Sequence, residues 1–240
     1  FCRKALRSLF RVLSPSSGKP FENSPEFPLP PKLFSRWHSI ARIGFPASLS
    51  QGSIALGIIL MNRVLSGYGP HALAAWLLGN RVEGLAFLPV MGIRNALTPF
   101  IGYNLGLARE DRLREALGWS LKASLTIMIS VGLLLYAFPE AILAIFAPSQ
   151  EVERMAVASI RASVFGYPLA ATEITLMALF EGTGRTLYSM IIQIFRALLF
   201  RPPLGWLLST AFGLGAFWWC QPLSSLGSCT ISAIFALALL

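Results

Sequence analysis

Long apolar stretches, broken by short polar or basic segments, organise this chain. A helix that crosses a bilayer needs about 20 mostly apolar residues, and six stretches approach or exceed that length. Ile43 to Asn62 carries no charge. His71 to Tyr103 is interrupted by Arg81, Glu83 and Arg94 and bent by Pro89 and Pro99. Lys122 and Glu140 bracket 17 uncharged residues. A fourth stretch, Met155 to Phe180, contains Arg161 and Glu173. A fifth, Leu187 to Thr210, contains Arg196, Arg201 and the Pro202-Pro203 pair, and Phe217 to Leu240 has no charge. The spacing predicts an all-α integral membrane fold with spans at about 43–62, 71–103, 122–140, 155–180, 187–210 and 217–240.

Residues 1–37 read differently. Arg3, Arg7 and Arg11 recur every four residues beside Leu6, Leu9, Phe10 and Leu13. Two readings fit: a basic amphipathic helix on anionic lipid, or a cytoplasmic tail that supplies topology charge. Residues 14–32 are rich in Pro and Ser and read as a flexible linker. The chain begins with Phe, which reads as a fragment or a processed product, and Arg3 to Arg11 interrupt any signal-peptide core.

Composition sharpens the membrane reading: 55% of residues are hydrophobic and only 13% charged, against about 25% charged in soluble domains. The net charge of +9 is concentrated near the N-terminus, so it does not describe a nucleic-acid-binding surface. With the N-terminus placed in the cytoplasm, the inside loops carry Arg109, Arg112, Arg114, Lys122 and Arg185. The outside loops at Ser66–Pro70 and Thr210–Ala216 carry no base, and the one near Ser149 carries only Arg154. That asymmetry follows the positive-inside rule and predicts a multi-pass protein with both termini cytoplasmic. Cys2, Cys220 and Cys229 form no metal or disulfide pattern, and His38 and His71 stand far apart. No HExxH, GxSxG, paired aspartates or phosphate loop is present, which argues against an enzyme or an ATP-driven pump. No cofactor is expected beyond a coupling ion.

Ionisable residues inside spans are costly, roughly 2.5–3.5 kcal/mol each on insertion scales, and they usually face a cavity or a partner. Glu173, six residues after Tyr167, sits mid-span between Thr172 and Thr175. It reads either as a carboxylate that binds Na⁺ or a proton, or as a structural partner of Arg196 or Arg201. Asn80 and Glu83 share one helical face that Phe87 continues, while Arg81 points elsewhere and is, with Arg196 and Arg201, a candidate charge partner for a buried acid. Glu83 reads as a cavity residue or as an ion-pair partner of Arg63 or Arg94, and Glu181 as a wet interfacial charge. Gln51, with Ser48, Ser50 and Ser53, supplies the polar positions of the first span. Phe87, Phe100, Phe165, Tyr167 and Phe180 either line a cavity for flat cations or pack and face lipid. Trp218 and Trp219 fit an interfacial belt.

The second stretch reads Gly-Tyr-Gly-Pro-His-Ala-Leu-Ala-Ala from Gly67 to Ala75, then Asn80-Arg81-Val82-Glu83 and Phe87-Leu88-Pro89. Gly92, Ala96, Pro99, Gly102, Asn104, Gly106 and Asp111-Arg112 follow in order. Gly182-Thr-Gly-Arg-Thr186 ends the fourth stretch, and Gly213-x-Gly215, Trp218 and Pro222 open the sixth. Over residues 38–240 this order resembles the C-terminal half of the multidrug and toxic compound extrusion (MATE) transporters. The resemblance implies one six-helix lobe of a twelve-helix antiporter, with parallel lobes flanking a cavity near the membrane midplane. Residues 1–37 then look like the inter-lobe connection, and the implied partner is the missing N-terminal lobe. The implied activity is export of small amphipathic or cationic compounds across a bacterial plasma membrane in exchange for H⁺ or Na⁺. Exporters of lipid-linked or polysaccharide precursors share the architecture, and a non-transporting remnant or assembly partner is the competing class. Many members of the family carry a cation-binding Glu in the first span of this lobe. Here Ile43 to Met61 holds no acid, and the nearest acid to an Asp that some members use in the fourth span is Glu173. The coupling ion stays open between H⁺ and Na⁺.

Overall fold

A computed structural model of the chain describes residues 33–237; the basic segment and the Pro/Ser-rich stretch at 1–32 lie outside the described residues. Among the described residues, six helical stretches are long and apolar enough to cross a membrane: Gly44–Ser66, Pro70–Gly106, Glu110–Ala137, Gln150–Gly182, Thr186–Phe212 and Leu214–Leu237. These are spans 1 to 6. Hydrocarbon offers no hydrogen-bond partners, so a spanning backbone must satisfy its own N–H and C=O groups, and helix does this within one segment.

The third span differs most from its expected limits of 122–140. It starts twelve residues earlier, at Glu110, and stops at Ala137. Glu110 and Asp111 occupy its first turn, where acidic side chains complement the free N–H groups of a helix start. Lys122 is therefore an internal residue, its ammonium 5.0 Å from the Trp119 ring. Pro139 then opens a separate short helix, Pro139–Leu143.

Span 4 is the most enclosed of the six. It packs against spans 2, 3 and 6. A 3₁₀ turn at Val164–Gly166 divides it, just before Pro168, which has no N–H to continue the ladder. A Cβ on Gly166 would lie 2.9 Å from Pro222 Cα, so spans 4 and 6 cross there almost backbone to backbone. Small residues permit such approaches, and in lipid close packing replaces the hydrophobic effect as the glue between helices. Span 6 continues the pattern with buried Ser224, Ser225, Ser228 and Ser232.

The glycine turn after span 4 combines two requirements. A Cβ at Gly182 would sit 2.7 Å from the Thr98 carbonyl oxygen, and Gly184 has φ +74°. The first position needs space and the second a left-handed backbone.

Three apolar clusters fill the interior. One gathers Val82, Phe87, Val90, Met128, Leu135 and Tyr167. A second gathers Leu97, Ile101, Leu117, Leu176, Phe180 and Ile192. A third holds Met61, Leu65, Trp76, Phe217, Trp218 and Cys220. Trp218 thus belongs to the interior, stacked on Trp76 at 6.4 Å, and the expected interfacial pair reduces to the exposed Trp219. Leu56, Ile59, Leu133, Trp206 and Phe212 are exposed, as suits surfaces that face hydrocarbon.

Candidate functional site

Spans 1, 2, 4, 5 and 6 line an open-sided cavity of about 300 Å³. Asn80, Glu83, Arg94, Glu173, Gln193, Arg196, Arg201 and Gln221 contribute its polar wall; Met61, Trp76, Phe87 and Met91 are among its apolar residues.

The local chain path of span 5 places the two arginines. In a regular α-helix, residues five apart point about 140° away from each other. Here Phe195–Phe200 forms a π turn between two α segments, and its wider i→i+5 winding returns Arg196 and Arg201 to one side. Pro202 and Pro203 follow immediately. Neither can donate the hydrogen bond that α winding would require there. Gly57 of span 1 crosses this turn so closely that a Cβ would meet the Ala197 carbonyl oxygen at 2.5 Å.

Glu173 is fully buried in the middle of span 4. Its Oε2 accepts from Arg196 Nη1 at 3.0 Å and from the Ser228 hydroxyl at 2.6 Å. Its Oε1 has no hydrogen-bond partner. Glu83 accepts from the Gln221 side-chain amide, whose own Oε1 is left unpartnered. Asn80 donates to the Trp76 carbonyl at 3.0 Å. The Arg201 guanidinium lies 5.0 Å from the Trp76 ring, and its Nε and Nη2 are sealed from solvent without partners.

Several sequence expectations change. Glu83 pairs with Gln221 rather than with Arg63 or Arg94. Arg94 instead grips Glu181 through Nε and Nη2, so Glu181 is a half-buried ion-pair member, not a wet interfacial charge. Glu173 pairs with Arg196; Arg201 lines the same cavity but makes no ion pair among the described residues. Gln51 and Arg81 are exposed and do not line the cavity. Tyr167 packs edge-on against Phe87 at 5.2 Å, within the core cluster behind the wall. Of the five aromatics considered for the wall, Phe87 lines it, Phe180 is core, and Phe100 and Phe165 are exposed.

Gln221, Ser228, Gln193 and Gly57 were missed. A signal existed for two of them: Gln221 and Ser228 are seven apart in the uncharged last span, hence on one helical face. Polar side chains repeating on one face of an apolar helix mark an inward surface.

The MatE family model matches residues 46–207. Among curated relatives, a probable multidrug resistance protein NorM of Thermotoga maritima is 28% identical over 189 residues, covering 78% of this chain and 40% of the relative. The multidrug export protein MepA of Staphylococcus aureus is 24% identical, covering 84% of this chain and 44% of the relative. A FAD transporter of Shewanella oneidensis is 27% identical, covering 81% and 43%. A mutant of the Vibrio cholerae MATE transporter VcmN, solved by crystallography, superposes with a TM-score of 0.84 at 19% identity, covering 98% of this chain and 51% of that one. This chain therefore spans about half the length of the proteins it matches.

Proposed function

The chain belongs to the MatE family, and from that premise we propose that it forms one lobe of a cation-coupled antiporter exporting amphipathic, often cationic compounds. The observation that carries this reading is Glu173: a fully buried carboxylate at a membrane cavity, with one oxygen held and one free. A proton or Na⁺ arriving at the free oxygen competes with Arg196 for the same negative charge. Ion binding then loosens the link between spans 4 and 5, and its loss restores that link. A cavity that changes shape with the occupancy of one carboxylate supplies the differential affinity that exchange of ion for substrate requires. Phe87 and Trp76 give the cavity flat apolar faces, on which an aromatic cation is held by stacking and cation–π attraction.

A second six-span lobe would close the cavity in the complete transporter, in keeping with the parallel repeats of such folds. The charge asymmetry of the loops supports cytoplasmic termini, and the bacterial relatives support residence in a bacterial plasma membrane.

The test is export of ethidium from cells producing the full-length protein. Lower accumulation than in empty-vector cells is expected, with Glu173→Gln removing the difference. Equal accumulation in wild-type and empty-vector cells removes support for drug export. If Glu173→Gln leaves transport and its pH dependence intact, the carboxylate is structural.

A further inference from the structure

The outward face of span 3 carries charges that nothing else in the lobe answers. Leu113, Leu117 and Ser124 turn inward and are buried, the two leucines within the second apolar cluster. Glu115, Trp119 and Lys122 are exposed. Their i, i+4, i+7 spacing aligns them along one side of the helix. Span 3 supplies no residue to the cavity, so this is not the side that a second lobe would close. Among the described residues neither Glu115 nor Lys122 forms an ion pair.

Depth makes the lysine costly. A 30 Å hydrocarbon core takes about 20 helical residues; counted back from Ala137, where the helix ends, it reaches about Gly118. Lys122 then starts about one turn inside the apolar layer, where an unanswered ammonium is unfavourable. A lysine stem spans about that distance and leans toward the helix N-terminus. The Lys122 ammonium does so, lying 5.0 Å from the Trp119 ring. It is thereby raised toward the level of the lipid phosphates, with the indole on one side and lipid on the other. Below it Ala123, Thr126 and Ser130 are exposed. The two hydroxyls donate to the Lys122 and Thr126 carbonyls at 2.9 and 2.8 Å, which leaves a shallow apolar strip for an acyl chain.

A single ammonium would take the phosphate of any phospholipid. The next charge toward water decides the class. Glu115 stands one turn beyond Trp119, and Arg112, further out on the same side, makes no ion pair with it. An anionic headgroup is repelled by that carboxylate, and a choline has no N–H to donate to it. A primary ammonium satisfies it while the phosphate of the same headgroup stays on Lys122. We propose that Glu115, Trp119 and Lys122 bind the headgroup of one phosphatidylethanolamine molecule in the leaflet where span 3 begins. The site lies apart from the cavity, and the transport reading is not needed for it.

The experiment is native mass spectrometry of the full-length protein in detergent with equimolar dioleoyl phosphatidylethanolamine, phosphatidylcholine and phosphatidylglycerol. The first lipid adduct of the wild-type protein is expected to favour phosphatidylethanolamine over phosphatidylcholine by about threefold, the order of a partly exposed ion pair. Glu115→Gln should remove that preference and leave phosphatidylcholine binding unchanged. Lys122→Gln should weaken all three lipids. A wild-type preference for phosphatidylglycerol overturns the inference in favour of a plain cationic surface, and equal adducts of the three lipids overturn it outright. Retention of the preference in Glu115→Gln does the same. The wild-type comparison stands without any variant, so a substitution that fails to fold does not rescue the proposal.

Discussion

The two ends of the arginine–carboxylate system in this lobe behave as opposites. Near the last turn of span 4, Arg94 and Glu181 satisfy each other through two hydrogen bonds, with side chains about a quarter exposed. Deeper in the cavity, Arg196 and Glu173 share one contact, Glu173 keeps a free oxygen, and Arg201 keeps two free nitrogens. Where the aim is to hold helices together, a closed bidentate pair suffices. Unmet buried polar atoms lower stability by roughly 1–3 kcal/mol each. Among the described residues, most of the buried polar atoms left without a partner belong to Trp76, Glu173, Arg201 and Gln221, all of which line this cavity, so the cavity wall is less well satisfied than the closed pair.

The contrast can be broken most forcefully at Glu173. Glu173→Ala leaves the Arg196 cation without its carboxylate and should destabilise the protein by about 3–5 kcal/mol, read as a fall in the unfolding midpoint of the detergent-solubilised protein. A loss below about 1 kcal/mol would show that Arg196 finds another partner and that the pair does not hold spans 4 and 5.

The cavity wall comes next. Gly57→Val drives a side chain against the Ala197 carbonyl and should cost about 1–3 kcal/mol, along with a loss of ethidium export as span 1 moves off the π turn. Unchanged stability and export would mean that the two helices are not in contact there.

The smallest and most discriminating pair compares the arginines directly. Arg94→Met orphans Glu181 and should destabilise by about 1–2 kcal/mol, since the pair lies between the surface and buried limits. Arg201→Met removes donors that have no partner and should stabilise by about 1 kcal/mol. Equal destabilisation by both substitutions would erase the distinction between the closed pair and the open guanidinium.

Much of the architecture was legible in the chain because bilayer thickness imposes a length on every apolar stretch. The six spans and their order came from that constraint, and the MATE resemblance came separately from ordered motifs such as Asn80–Glu83, Phe87–Pro89 and Gly182–Thr186. The limits of span 3 were not legible, because Lys122 looked like a boundary while Trp119 accommodates it inside the helix. The candidate site was legible in part. Glu83, Asn80, Glu173, Arg196 and Arg201 stood out as polar residues where polarity is costly, and all five line one cavity. Gln51, Arg81 and Tyr167 drew attention for the same chemistry, yet helix rotation leaves the first two exposed and packing places the third in the core.

Pairing was the part that one-dimensional reasoning could not reach. Glu83 meets Gln221 from 138 residues away, and Glu173 meets Ser228 from 55. Neither contact has a local signature. The sequence by itself determined which segments enter the membrane and which of their residues are costly there, because transfer into hydrocarbon depends on each segment's own composition. Only the tertiary structure decided which charge is satisfied and which is left open. That outcome depends on helix rotation, on the π turn that brings Arg196 and Arg201 to one side, and on crossings as close as Gly57 on Ala197.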